Sequence, residues 1–116
     1  MVAPRSAEAY FGRACNYLAI GEHAHAARDF TKVVEIDPDN ADAFHLRGRA
    51  HEESGEPTLA TADYTKVVAM EPGSTHALIS RGNIFEGQGA FDLALADYDA
   101  ALNIDLQLAA SYHGRA

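Results

Sequence analysis

The chain has 116 residues, 47% of them hydrophobic, and carries 9 Lys and Arg against 17 Asp and Glu for a net charge of -8. That suffices for one domain with a modest core, offers no apolar run near the roughly 20 residues a membrane-spanning helix needs, and holds no basic cluster suited to a phosphate backbone. Neither nucleic acid nor membrane is an expected partner, and the single cysteine, Cys15, excludes an internal disulfide and the cysteine-rich zinc sites.

Residues 1–6 form an N-terminal extension without the apolar stretch of a signal peptide, so a cytoplasmic setting is the expectation. From Ala7 onward the spacing of Tyr10, Ala14, Tyr17 and Leu18 is helical and predicts a first helix over about 7–20. Gly21 ends it, since glycine takes the left-handed conformation at little steric cost. A second helix over about 23–36 carries Ala26, Ala27, Phe30, Val33 and Val34, and stops at Asp37-Pro38-Asp39-Asn40. Residues 7–40 are thus a helical hairpin.

The hairpin then repeats. A step of 34 residues carries Gly21 to Gly55 and Gly89, Ala26 to Ala60 and Ala94, Phe30 to Tyr64 and Tyr98, and Pro38 to Pro72. Residues 41–74 and 75–108 are further copies, with first helices expected over about 41–54 and 75–88 and second helices over about 57–70 and 91–104. Pro57 fits the first turn of its helix, where it forfeits no hydrogen bond. Residues 109–116 open a fourth copy: Ser111-Tyr112-His113-Gly114-Arg115-Ala116 parallels Ala9-Tyr10-Phe11-Gly12-Arg13-Ala14. A unit of this length buries its apolar face only against its neighbour, so the expected fold is all-α, a solenoid of three hairpins plus the start of a fourth.

Tyr10, Ala14, Tyr17, Gly21, Ala26, Phe30 and Pro38, with their counterparts, closely resemble the tetratricopeptide repeat (TPR) pattern. His51 departs from the aromatic column of Tyr17 and Phe85, Val33 and Val67 from the small residue kept at Ala101, and Leu106 from the proline. The small residues Ala14, Gly48, Gly82, Ala26, Ala60 and Ala94 allow close helix approach, while the large ones fill the space around them.

Two charged columns share the period: Arg13, Arg47, Arg81 and Arg115 on first helices, Asp29, Asp63 and Asp97 on second helices. Their constant spacing predicts an Arg–Asp pair within each hairpin, in preference to an arginine ladder that grips an acidic ligand. The six histidines form no His-Glu-x-x-His element, His23-Ala24-His25 falls at a hairpin turn, and His51 replaces an aromatic, so no metal site is expected. Cys15 lacks a Cys-His-Asn context, and the glycines punctuate helices without a following Gly-Lys-Ser/Thr. No catalytic residue and no cofactor are expected, and the chain is not expected to be an enzyme.

The resemblance implies that first helices line a concave surface, which makes Glu8, Phe11, Cys15, His45, Arg49, Glu52, His76, Ile79, Asn83 and Glu86 the peptide-binding candidates. Leu18, Asp42 and Glu53 lie on the same faces. Phe11 and Ile79 are expected as exposed anchors without a structural duty. Acidic groups outnumber basic ones on this surface, so a basic or amphipathic segment is the expected partner. One TPR subfamily clamps the C-terminal carboxylate of heat-shock chaperones with lysine, asparagine and arginine. Here those places hold Phe11, Cys15, Leu46, His76 and Ser80, and none matches.

The third copy lacks the proline and glycine that end the others, so Ala116 resembles a cut inside a longer array. Either Tyr112 and Ala116 dock on the third hairpin as a makeshift cap, or the last helix runs straight on and lends its end to a homodimer through the C-terminal edge. The expected function is a scaffold or adaptor for a protein or peptide. Self-association through exposed repeat edges, or service as a non-catalytic part of a larger protein, are the alternatives.

Overall fold

The computed structural model describes residues 6–115, with side chains through Ala109. Among them the chain forms six helices and no strand: α1 Ala7–Ala19, α2 His23–Ile36, α3 Ala41–Glu53, α4 Pro57–Met70, α5 Thr75–Gly87 and α6 Phe91–Arg115. The docking of Tyr112 and Ala116 considered above lies outside the described side chains, as does the side chain of Arg115.

The hairpin turns follow from local chemistry. Gly21, Gly55 and Gly89 take φ of 84°, 76° and 79°. That lets the next amide reach back five residues: Glu22 N–H donates to Tyr17 O, Glu56 to His51 O and Ala90 to Phe85 O, each at 2.8 Å. These bonds satisfy carbonyls that a helix end otherwise leaves bare. Pro57 occupies the first turn of α4, and the side chains of Asn40 and Ser74 accept from the amides of Ala43 and Ala77 to cap α3 and α5.

α6 passes the end expected near residue 104 and follows the alternative in which the last helix runs straight on. It runs on to Arg115, so the sequence that parallels a first helix continues on the same rod. Where Pro38 and Pro72 remove a backbone donor and clash with the preceding turn, Leu106 keeps its N–H and suits a helix interior.

Each helix makes its extensive contacts with the next in sequence, α1 with α2 through to α5 with α6. The array measures 53 × 38 × 23 Å, and 23 Å is two helix diameters. Every first helix therefore keeps one face in solvent. The core divides accordingly into one cluster around Phe30, Ala14, Ala26, Val33, Ala43 and Ala50, and another around Tyr64, Ala60 and Ile84.

Candidate functional site

The arginine and aspartate columns meet as bidentate forks. In the first hairpin Arg13 Nε and Nη2 donate to Asp29 at 2.7 and 2.8 Å. Arg47 makes the same bonds to Asp63 at 2.9 and 2.7 Å, and Arg81 to Asp97 at 2.8 and 2.6 Å. The remaining nitrogen reaches back across the unit junction: Arg47 Nη1 donates to Thr31 and Arg81 Nη1 to Thr65, both at 3.1 Å. Each guanidinium also lies over an aromatic ring, Arg13 over Tyr10 and Tyr17, Arg47 over Phe44 and Arg81 over Phe85. In the second and third units the forks are thus closed, which leaves an acidic ligand little to hold and makes the column a ladder of structural clamps.

The exposed first-helix face carries the candidate residues. Three hollows lie along it. One of ≈ 350 Å³ is lined by Ala7, Glu8, Phe11, Asp37, Asn40 and Asp42. Another of ≈ 260 Å³ lies among Cys15, Leu18, Ala19, Leu46 and Arg49, and the third, ≈ 240 Å³, includes Asp42, His45, Glu71, Ser74 and His76. The repeat brings Glu8 beside Asp42, Cys15 beside Arg49 and His45 beside His76, pairs that are far apart in sequence.

Phe11 is not a free anchor. It is half-buried and meets Phe30 edge-on, ring centroids 5.6 Å apart, because the column it shares with His45 and Ile79 sits above the aromatic column of the second helices. His45 likewise meets Tyr64 at 5.3 Å. Ile79 alone of the three is exposed. Three further candidates are fixed from beneath: Tyr64 Oη donates to Glu52 Oε1 at 2.9 Å, and Tyr98 Oη donates to Glu86 Oε1 at 2.9 Å with Asn83 Oδ1 alongside. Glu53 turns to the unit junction and pairs with His23 at 3.2 Å.

Burial raises the Cys15 thiol above its ordinary value, the wrong direction for a nucleophile. Among the described residues no three His, Cys, Asp or Glu side chains gather as a metal would require, and no helix is long and apolar enough to cross a membrane.

Burial holds His45 and His51 below the usual histidine value; neighbouring His76 adds to the effect at His45, while at His51 Asp63 opposes it. The unfolded chain takes up these protons as pH falls through about 6.5. The folded rings resist until a lower pH, so stability is full above that point and declines below it. The melting temperature is expected to drop by a few degrees between pH 7.5 and 5.5. His51→Phe, which restores the residue of the Phe85 column, is expected to flatten that slope in a series of thermal melts.

Helical hairpins at a constant 34-residue step, stacked in register with an open first-helix face, define an α-solenoid repeat protein. Family models described as tetratricopeptide repeat match residues 45–112 and 7–40. The chain belongs to the tetratricopeptide repeat family. Two crystal structures of MamA superpose with TM-scores of 0.89 and 0.86 at 28% identity, covering 92% and 91% of this chain. The chain spans 63% and 58% of those proteins' length. The first TPR domain of Spaghetti (RPAP3), solved bound to the HSP90 peptide SRMEEVD, superposes with a TM-score of 0.81 at 23% identity, over 89% of this chain and 82% of its own. At that identity the likeness concerns the fold. No curated protein matches the sequence significantly.

Proposed function

We propose that this protein is an interaction scaffold that holds a basic or amphipathic peptide segment along the exposed face of its first helices. The observation that carries this is the row of three hollows between successive first helices, two of them bordered by Glu8, Asp42 and Glu71 and the third by Arg49 alone among charged residues, with exposed Ile79 on the same face. Glu52 and Glu86 stand on that face already oriented by Tyr64 and Tyr98, so little side-chain freedom is lost when a cation meets them. The RPAP3 domain holds a peptide rich in Glu and Asp. Here Phe11, Cys15, Leu46, His76 and Ser80 provide no such clamp, and the acidic rim favours the opposite charge.

The reading is tested by fluorescence anisotropy with a labelled helical peptide of leucine and lysine, and with its twin carrying glutamate for lysine. The lysine peptide is expected to bind in a salt-sensitive manner. Ile79→Ser is expected to weaken it about tenfold, the effect of one buried interface side chain, with helicity unchanged. Equal binding of the glutamate twin, or no response to Ile79→Ser and Asp42→Asn, would discard the proposal.

A further inference from the structure

The two outer edges of the array match each other. Each junction between units repeats one set of contacts, in which the first helix of a later unit lies on the second helix of the earlier one. Arg47 donates to Thr31 and Arg81 to Thr65, both at 3.1 Å, while the first junction adds a His23–Glu53 pair at 3.2 Å. The 34-residue step places Asp99 in the column of Thr31 and Thr65, Phe91 in that of His23, and Leu102 in that of the half-buried Val34 and Val68. In α6 these groups face solvent, with Phe91 61% and Leu102 58% exposed, and Leu95 is bare beside them.

The opposite edge is the outer face of α1, which bears Ala9, Arg13 and Ile20. Ile20 is 72% exposed. The Arg13 side chain is 60% exposed, against 19% for Arg47. Among the described residues its Nη1 has no acceptor, although Nε and Nη2 hold Asp29 as in the other units. A hollow of ≈ 340 Å³ lies among Ser6, Ala9, Tyr10 and Arg13.

We infer that α1 of one molecule docks on α6 of a second copy, head to tail, by the register that already joins α3 to α2 and α5 to α4. Continued once more, that register brings Arg13 Nη1 to the Asp99 carboxylate, a charged acceptor in place of a threonine hydroxyl. Ala19 takes the place of Glu53 beside Phe91, with the bare Ile20 next to it. One turn from Asp99, Leu102 turns toward the hollow at Ser6, Ala9, Tyr10 and Arg13. Three exposed apolar groups, Ile20, Phe91 and Leu102, and the free nitrogen of an arginine fork are thereby covered in one step. The surfaces are separate from the first-helix face, and because the two edges differ, the contact does not close on itself.

Two edge variants of the 116-residue chain test this by sedimentation velocity across a concentration series, with circular dichroism to confirm helicity. The unaltered chain is expected to grow past the dimer mass as concentration rises. Ile20→Glu puts a charge against Phe91, and Asp99→Arg sets like charges together, so each alone is expected to remain monomeric. Mixed in equal amounts, they retain one good edge apiece and are expected to form a 1:1 dimer that grows no further. The inference is overturned by a monomer at every concentration of the unaltered chain. It is also overturned by a closed dimer that survives Ile20→Glu, which would mark an α6-to-α6 contact, or by a mixture of variants that fails to pair.

Discussion

Arg47→Ala is expected to lower the melting temperature by roughly 10 °C, the largest loss from any single charged residue of the chain. The substitution strands Asp63, whose side chain is 6% exposed and accepts two guanidinium bonds at 2.9 and 2.7 Å. Removing one partner of such a pair leaves the other buried without compensation, at about 3 kcal/mol. At this chain length each kcal/mol corresponds to roughly 4 °C. His51 Nε2, 3.8 Å from the same carboxylate, is too far to replace the lost bonds. Arg47 also spans the unit junction through Thr31, so its loss loosens two units at once. Arg47→Lys is expected to recover only part of the stability, because an ammonium cannot make the two parallel bonds. Arg13→Ala is expected to be milder, since the Arg13 side chain is 60% exposed and, among the described residues, bonds only to Asp29. Thermal melts followed by circular dichroism rank the three, and an Arg47→Ala melt equal to the parent's would show that the forks add nothing to stability.

The period made the hairpins legible, because glycine and proline punctuate at fixed offsets and each has one physical role there. The Arg–Asp forks were legible for a related reason: two charged columns that never vary imply a contact that never varies. The length of α6 was legible in part: repeating the first two copies gives an end near residue 104, but Leu106 removes the cause of that end, and the outcome in which the last helix runs straight on is the one found. The partial burial of Phe11 was not legible, because its place on the family's inner face says nothing about what lies beneath it, and here Phe30 does.

Phe30, which has no hydroxyl, accompanies Leu18, whereas Tyr64 and Tyr98 accompany Glu52 and Glu86 at the same offset. A column that gains a donor where its neighbour gains an acceptor signals contact, and the bonds at 2.9 Å follow. The Arg47–Thr31 and Arg81–Thr65 bonds left no comparable trace, because threonine is common on exposed helix faces and only the stacking of units brings it to arginine.

Gly48→Leu is expected to destabilise the chain by about 3 kcal/mol, and to do so more than Gly82→Leu, although the second site is the tighter by distance. A Cβ at Gly48 would lie 3.0 Å from Tyr64 Cε1 and 3.2 Å from Asp63 Cβ; at Gly82 the nearest atom is Tyr98 Cε1 at 2.9 Å. What differs is whether the ring can yield. Both rings donate to a glutamate, but Tyr64 is 1% exposed and meets His45 edge-on, whereas Tyr98 is half-buried on the last hairpin. Overpacking against a fixed ring forces the helices apart at roughly 1 to 3 kcal/mol or more, and a leucine brings three carbons beyond the Cβ already in contact. Replacing a helical glycine returns about 1 kcal/mol at either site, which offsets the strain only where the neighbour moves. Tyr64→Ala in the Gly48→Leu background is then expected to cost less than Tyr64→Ala alone by about 1 kcal/mol, because the leucine occupies part of the vacated space. Urea titrations of the four chains in that cycle measure the coupling. Additive losses would mean that Gly48 and Tyr64 do not compete for the same volume, and equal losses at the two glycines would mean that Tyr98 is held as firmly as Tyr64.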